Sequence, residues 1–383
     1  MPSRNLGGRV IPMPHAPQSR SKEAAVAAGL NSARSMAHDD LTRAQPLDIE
    51  RPSELLAYLR RSGYIAAGEE PRIRVLAGGV SNRTVMVERG SDEAWVIKQA
   101  LAKLRVAVEW FSDPLRIHRE ALGLRLLARL APPGSITPFV FEDHEHHLFA
   151  MAAVPQPHEN WKSMLLAGQI EHDHVRQFGQ LLGTIHRRAW EERAALDPTL
   201  EDRAIFESLR LEPYYAYTAG QVAPAQAFLT GLIARTRVRR LTLVHGDYSP
   251  KNVLVHGGRL VLLDHEVIHI GDPAFDLGFS LTHLLSKAHH LHQYRRAFAQ
   301  AVQTYWSSYL GALGEAPFAA GLEQHAVANT LGCLLARVAG RSPLEYLSED
   351  ERARQRAAVL ALMAEPPDSV SALTERFLVL IER

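Results

Sequence analysis

Three side chains within one stretch, Leu243–Asp264 (LVHGDYSPKNVLVHGGRLVLLD), have the types and spacing that phosphoryl transfer needs. Asp247 follows His245-Gly246 at the end of an apolar run, Asn252 comes five residues later, and Asp264 closes a second apolar run. Such a reaction asks little covalent chemistry of a protein; the transferred group is clamped, its charge is neutralised and the attacking hydroxyl is placed in line. A carboxylate at 247 could accept the hydrogen bond of that hydroxyl and take its proton late. Asn252 and Asp264 offer the hard oxygen ligands that suit Mg²⁺. Glu266 would share the direction of Asp264 if the strand continues, adding a second carboxylate to a metal site. The bland alternative for Asp247 is a turn-capping Asp.

Upstream lie pieces that carry little weight singly. Gly78-Gly79-Val80-Ser81-Asn82 reads as a hairpin turn whose missing side chains would let backbone N–H groups approach an anion. Lys98 ends the β-like Trp95-Val96-Ile97-Lys98, and Glu120 rides in the middle of a helical run 22 residues later. A strand lysine and a helix glutamate are each ordinarily solvated surface.

Their order along the chain, glycine hairpin, strand Lys, helix Glu, H-G-D-x-x-x-x-N and then D-x-E, resembles the superfamily of aminoglycoside phosphotransferases, choline kinases and methylthioribose kinases. The likeness covers about residues 70–345 and is nearest to the methylthioribose kinase branch in Val96–Leu101, Lys103–Val106 and Asp264-His265-Glu266. It implies an α+β, two-lobed protein-kinase-like fold, with a small N-terminal lobe built on an antiparallel sheet and a larger, mainly helical C-terminal lobe. It also implies ATP and Mg²⁺ as cofactors. Asp247, Asn252 and Asp264 would be catalytic, and Asn252, Asp264 and Glu266 would hold the metal. Gly78, Gly79, Ser81, Asn82 and Lys98 would hold the nucleotide phosphates, with Glu120 fixing Lys98.

The expected activity is transfer of the γ-phosphoryl group to a hydroxyl of a small metabolite, such as a methylthioribose-like sugar. The alternatives are an aminoglycoside O-phosphotransferase and a non-catalytic nucleotide-binding protein of kinase form. Methylthioribose kinases typically lack the loop Asn that Asn252 supplies here. They carry an Arg pair where this chain has Ala336-Arg337. Arg337 and Trp161 are candidate acceptor-lining residues, and Asp276 matches a position that braces the catalytic loop.

One competing motif is His265-Glu266-Val267-Ile268-His269, a formal H-E-x-x-H. Histidines at i and i+4 converge on zinc only from a helix. Here the stretch follows strand-like Val261-Leu262-Leu263 and runs at once into Gly271-Asp272-Pro273, which argues against a zinc peptidase. The run Glu142–His147 reads as a polar hairpin tip.

The remaining features set bounds. With 383 residues, 46% hydrophobic, the chain has ample length for two lobes around a cleft. Its 43 Lys and Arg against 42 Asp and Glu leave a net charge of +1, which offers no basic field for nucleic acid, so an anionic ligand must be held locally. A single cysteine, Cys333, allows no intrachain disulfide and suits a reducing cytoplasm. No apolar run approaches the roughly 18 residues of a membrane span. The expected partner is a small-molecule hydroxyl acceptor, with a homodimer left open.

Residues 1–44 read as a flexible extension, with five basic residues and one acidic before Ala37 as a faint transit-peptide signal and Met36 as an alternative start. A nucleotide-binding lobe is expected over 45–154 and a catalytic and substrate-binding lobe over 155–383, with a hinge in Pro155–Asn160. Spacing predicts a helix from Ser53 to Gly63, strands over Arg72–Leu76, Thr84–Glu88 and Trp95–Gln99, and a helix starting at Ser112-Asp113-Pro114. Two more strands follow, Thr137–Phe141 and Leu148–Ala153. From Val175 the spacing turns helical, and after Pro273 it is helical almost throughout.

Overall fold

The computed structural model describes residues 47–76, 81–90, 93–103, 105, 111 and 113–382. The expected N-terminal extension and Gly78, Gly79, Leu104, Val106 and Ser112 lie outside them.

After helix α1 (Pro52–Arg61), strands β1 (Arg72–Val75), β2 (Asn82–Glu88) and β3 (Ala94–Ala100) are followed by helix α2 (Arg116–Leu130), then β4 (Phe139–Asp143) and β5 (Leu148–Ala152). The five strands form one antiparallel sheet in the order β1-β2-β3-β5-β4. Strand alternation divides β3 between two faces. Trp95 and Ile97 are buried on one. Val96 and Ala100 pack on the other with Ile117, Ala121 and Leu124 of α2, and Lys98 shares that face. The helix meets the sheet through a stripe at helical spacing, Ile117, Ala121 and Leu124, and Arg116 and Glu120 are buried beside it.

The second lobe opens with β6 (His158–Asn160), α3 (Trp161–Leu166) and α4 (His172–Glu191). A π-helical segment, Glu207–Ala216, contains Pro213 and precedes α5 (Gln226–Val238). Four short strands follow: β7 (Thr242–Val244), β8 (Val253–His256), β9 (Arg259–Leu262) and β10 (His269–Gly271). Then come α6 (Pro273–His290), α7 (Arg295–Leu313), α8 (Leu322–Ala339), α9 (Glu349–Ala364) and α10 (Val370–Ile381). One large apolar core joins these helices, with Phe178, Tyr248, Phe275 and Tyr305 among its fully enclosed members. Among the described residues no helix is long and apolar enough to cross a membrane.

Several expected boundaries shift. The helix expected from Ser112-Asp113-Pro114 begins at Arg116, because Asp113 spends its carboxylate on the Leu115 N–H (2.9 Å) in the turn before it. Part of the expected hinge is strand, since His158–Asn160 pair with β8. The strand before Asp264 does not continue through Glu266. It ends at Leu262, and Asp264 takes a left-handed backbone with φ of +67°.

Candidate active site

Glycines 257 and 258, both with positive φ, close the β8–β9 hairpin, a backbone that L side chains resist. Asn252 lies just before β8 and Asp264 just after β9, so the hairpin returns them to the same open end. The bond from Leu263 N–H to Asn252 O (2.8 Å) extends the pairing to the residue beside Asp264.

Lys98 reaches from the helix-facing side of β3 to Glu120 Oε1 (2.5 Å) and lies 3.5 Å from Asp264 Oδ1. The two lobes thus meet on one ammonium. Glu120, Asp264 and Glu266 each offer a carboxylate oxygen, and these oxygens lie within 4.8 Å of one another. Burial, offset in part by Lys98, and the neighbouring carboxylates of Asp264 and Glu266 push the Glu120 pKa up to about 7. Burial and Asp264 likewise raise Glu266. Burial opposes the ionisation of Asp264, but Lys98 and Lys251 outweigh it and hold its carboxyl well below the usual range.

The reason given for Glu266, a continuing strand, fails; another contact fixes it. Arg116 Nε lies 3.4 Å from Glu266 Oε2. This fully buried arginine also donates to Leu101 O (2.9 Å), Ser81 O and Asn82 Oδ1 (3.4 Å). It therefore ties the start of β2 to the carboxylate cluster. Ser81 and Asn82 are engaged through it, while Gly78 and Gly79 lie outside the described residues. Arg116 sits one turn before Glu120 on the same helix face, beside the apolar stripe.

Asp247 lies in the loop between β7 and β8. Its Oδ2 accepts from Asn252 Nδ2 (2.8 Å) and faces Arg210 Nη2 at 3.0 Å. Arg210 also donates to Gly246 O (2.7 Å). The loop is braced from below by Asp276, whose two oxygens accept from the His245 N–H (2.7 Å) and the Gly246 N–H (2.8 Å). Burial works against charge on Asp276, but His186 and His245 hold its carboxyl below its ordinary range.

Gly246 has φ of +79°, and a Cβ there would stand 2.7 Å from Val267 Cγ1 and 3.1 Å from Val267 O. Gly246→Ala is expected to cost on the order of 1–3 kcal/mol, read as a lower urea midpoint.

Trp161 is fully enclosed and packs edge-on against Phe178 at 4.7 Å, so its ring belongs to the core. Arg337 Nη1 donates to Tyr214 OH (3.0 Å) and to Ser342 O (2.6 Å). His265 and His269 do not share a helix. His265 Nδ1 meets His245 Nε2 at 3.2 Å, whereas His269 lies in β10 and its Nδ1 contacts Val267 O. At the expected hairpin tip, His118, Glu142 and His144 cluster. His118 Nδ1 contacts Glu142 Oε1 (2.7 Å) and its Nε2 contacts His147 Nδ1 (3.2 Å), while Glu142 also takes Arg125. That hydrogen-bond chain satisfies these groups by itself.

A model of the phosphotransferase enzyme family (APH) matches residues 72–315. A methylthioribose kinase of Pectobacterium atrosepticum is 26% identical over 266 residues, 61% of this chain and 64% of that protein, so the chain spans less than two thirds of that relative. A choline/ethanolamine kinase family protein of Mesorhizobium loti shares the fold with a TM-score of 0.51 at 16% identity, over 86% of this chain and 98% of that one. An amicoumacin kinase solved with AMP-PNP and Ca²⁺ has a TM-score of 0.51 at 13% identity, over 82% of this chain and 94% of that one.

Proposed function

The chain belongs to the phosphotransferase enzyme family, and we propose that it transfers the γ-phosphoryl group of ATP, with Mg²⁺, to a hydroxyl of a small sugar-like metabolite, with Asp247 as the catalytic base. The observation that carries this is the meeting of Lys98 with both Glu120 and Asp264, beside a loop that presents Asp247 and Asn252. A nucleotide-binding lobe over 45–154 and a catalytic lobe over 155–383 fit that division of labour.

The carboxylates fit a hard divalent cation. Among the described residues Oε2 of Glu120 is buried without a hydrogen-bond donor and Oε2 of Glu266 has the Arg116 Nε at 3.4 Å, and three convergent acids in one cluster call for positive charge beyond that of Lys98. Asp264 and Glu266, with the amide oxygen of Asn252, would hold Mg²⁺. Bound there, the ion would neutralise charge on the nucleotide phosphates. Lys98, positioned by Glu120, would hold the phosphates further back along the nucleotide.

Asp247 orients the acceptor hydroxyl and takes its proton late. Asn252 and Arg210 fix its carboxylate by occupying Oδ2, which leaves Oδ1 for the hydroxyl. Arg210→Gln is expected to lower kcat by about ten- to hundredfold through misplacement of that carboxylate, with nucleotide affinity unchanged in a thermal-shift titration.

The test is an ATP-consumption screen with Mg²⁺ across methylthioribose, other pentoses, choline, homoserine and aminoglycosides. The kinase reading expects acceptor-dependent turnover that vanishes in Asp247→Asn. Absence of MgATP binding, read by thermal shift, would overturn it.

A further inference from the structure

Beyond the catalytic loop the helical lobe encloses a group of cations that the transfer chemistry does not use. Lys287, on α6, is fully buried; among the described residues its ammonium donates only to the His283 carbonyl of its own helix (3.3 Å), and it lies 5.4 Å from the Tyr346 ring. Among the described residues no carboxylate lies within ion-pair distance of Lys287 or of Arg337. Two buried donors of this group, Arg337 Nε and Tyr346 OH, have no hydrogen-bond partner among the described residues. Lys162 belongs to the same group, and its partner Glu345 is the carboxylate that partly offsets the charge. Burial, with Lys162 and Arg337 as like charges, pushes the Lys287 pKa down to about 7. Burial and the same cations hold His283 well below its usual range. A buried ammonium with unfilled donors and like charges around it is costly unless an anion completes it.

The group adjoins the proposed transfer site. Tyr214, which receives Arg337, lies four residues after Arg210 on the π-helical segment, and Arg210 pairs with Asp247. Along α6, Asp276 braces the catalytic loop and Ser280 Oγ bonds Tyr248 O (3.0 Å). His283 and Lys287 follow at the next turns of the same helix face. Phe279 bridges the two routes, touching both Tyr214 (5.7 Å) and His283 (5.3 Å) between ring centroids.

We propose that the hydroxylated acceptor carries an anionic group, a carboxylate or a phosphate, and that Lys287, Arg337 and Lys162 receive it in place of the Glu345 carboxylate. This rests on the phosphotransferase reading above and narrows its acceptor. A polycationic aminoglycoside or a choline would meet like charge there. A neutral sugar would leave the ammonium unanswered.

The test uses the full chain saturated with MgADP, so that failure of the nucleotide site is seen separately, as loss of MgADP binding. Ribose, ribonate and ribose 5-phosphate are titrated into it by calorimetry, the last two distinguishing carboxylate from phosphate. At least one anion should bind about tenfold or more tightly than ribose, the size of one charge-assisted hydrogen bond. Lys287→Met should erase that preference while MgADP affinity stays unchanged. Glu345→Gln, at an exposed side chain, should strengthen anion binding by freeing Lys162, and it decides the matter if the Met variant fails to fold. The proposal is overturned if ribose and both anions bind equally or not at all, if the preference survives in Lys287→Met, or if anion binding is unaltered in Glu345→Gln.

Discussion

Asp247→Asn is expected to lower kcat by about 10²–10⁴-fold, the range of a positioned general base, while MgATP binds as before. The geometry makes Asn a clean replacement. In the parent, Oδ2 of Asp247 receives Asn252 Nδ2 at 2.8 Å and the Arg210 guanidinium at 3.0 Å. Both neighbours are donors, so an amide at 247 turns its oxygen toward them. Its NH₂ then faces the acceptor and cannot take a proton. The shape of the loop survives, because Asp276 braces it through the backbone of His245 and Gly246 rather than through Asp247. Single-turnover transfer together with a nucleotide thermal shift separates the two effects. A variant whose transfer rate stays within about tenfold of the parent would remove Asp247 from the mechanism.

How much of this was legible in the chain depends on what each residue's position obeys. Lys98 and Glu120 follow local periodicity. Alternation puts Lys98 on the face of β3 that packs against α2, and helical spacing puts Glu120 beside the apolar stripe it meets. Asn252 and Asp264 are set by a hairpin whose turn, Gly257-Gly258, is written in the sequence. Glu266 was reached by a wrong route, since the strand ends and the backbone reverses sign at Asp264, and a contact from a distant arginine places it. Arg116 could be found as the residue one turn before Glu120 on the same helix face. Arg210 offered no such handle. It reaches Asp247 from a π-helical segment whose wider turn breaks the periodicity by which helix faces are recognised. Lys287 was hidden for a related reason. Its helix is buried on nearly every side, so no polar face marked it out.

Asp264→Asn is expected to abolish the Mg²⁺ dependence of nucleotide binding and to reduce turnover by at least about 10²–10³-fold, the scale of losing a preorganised charge in an enclosed site. Asparagine tolerates the left-handed backbone at +67° better than other non-glycine residues, so strain does not confound the comparison. What is lost is the carboxylate with its pKa held down, the one member of the cluster that Lys98 and Lys251 keep ionised against burial. Glu120 cannot replace it, because its carboxylate is committed to Lys98, and Glu266 alone would offer the ion one carboxylate where the parent offers two. Removing one negative charge relieves the repulsion that Asp264 exerts on Glu120, so Glu120 keeps its contact with Lys98 at 2.5 Å and the strand-to-helix pair survives. The expected pattern is therefore selective. Nucleotide affinity measured in EDTA should match the parent, and the gain on adding Mg²⁺ should disappear. A gain equal to the parent's would move the cation elsewhere and leave Asp264 with only its partnership to Lys98.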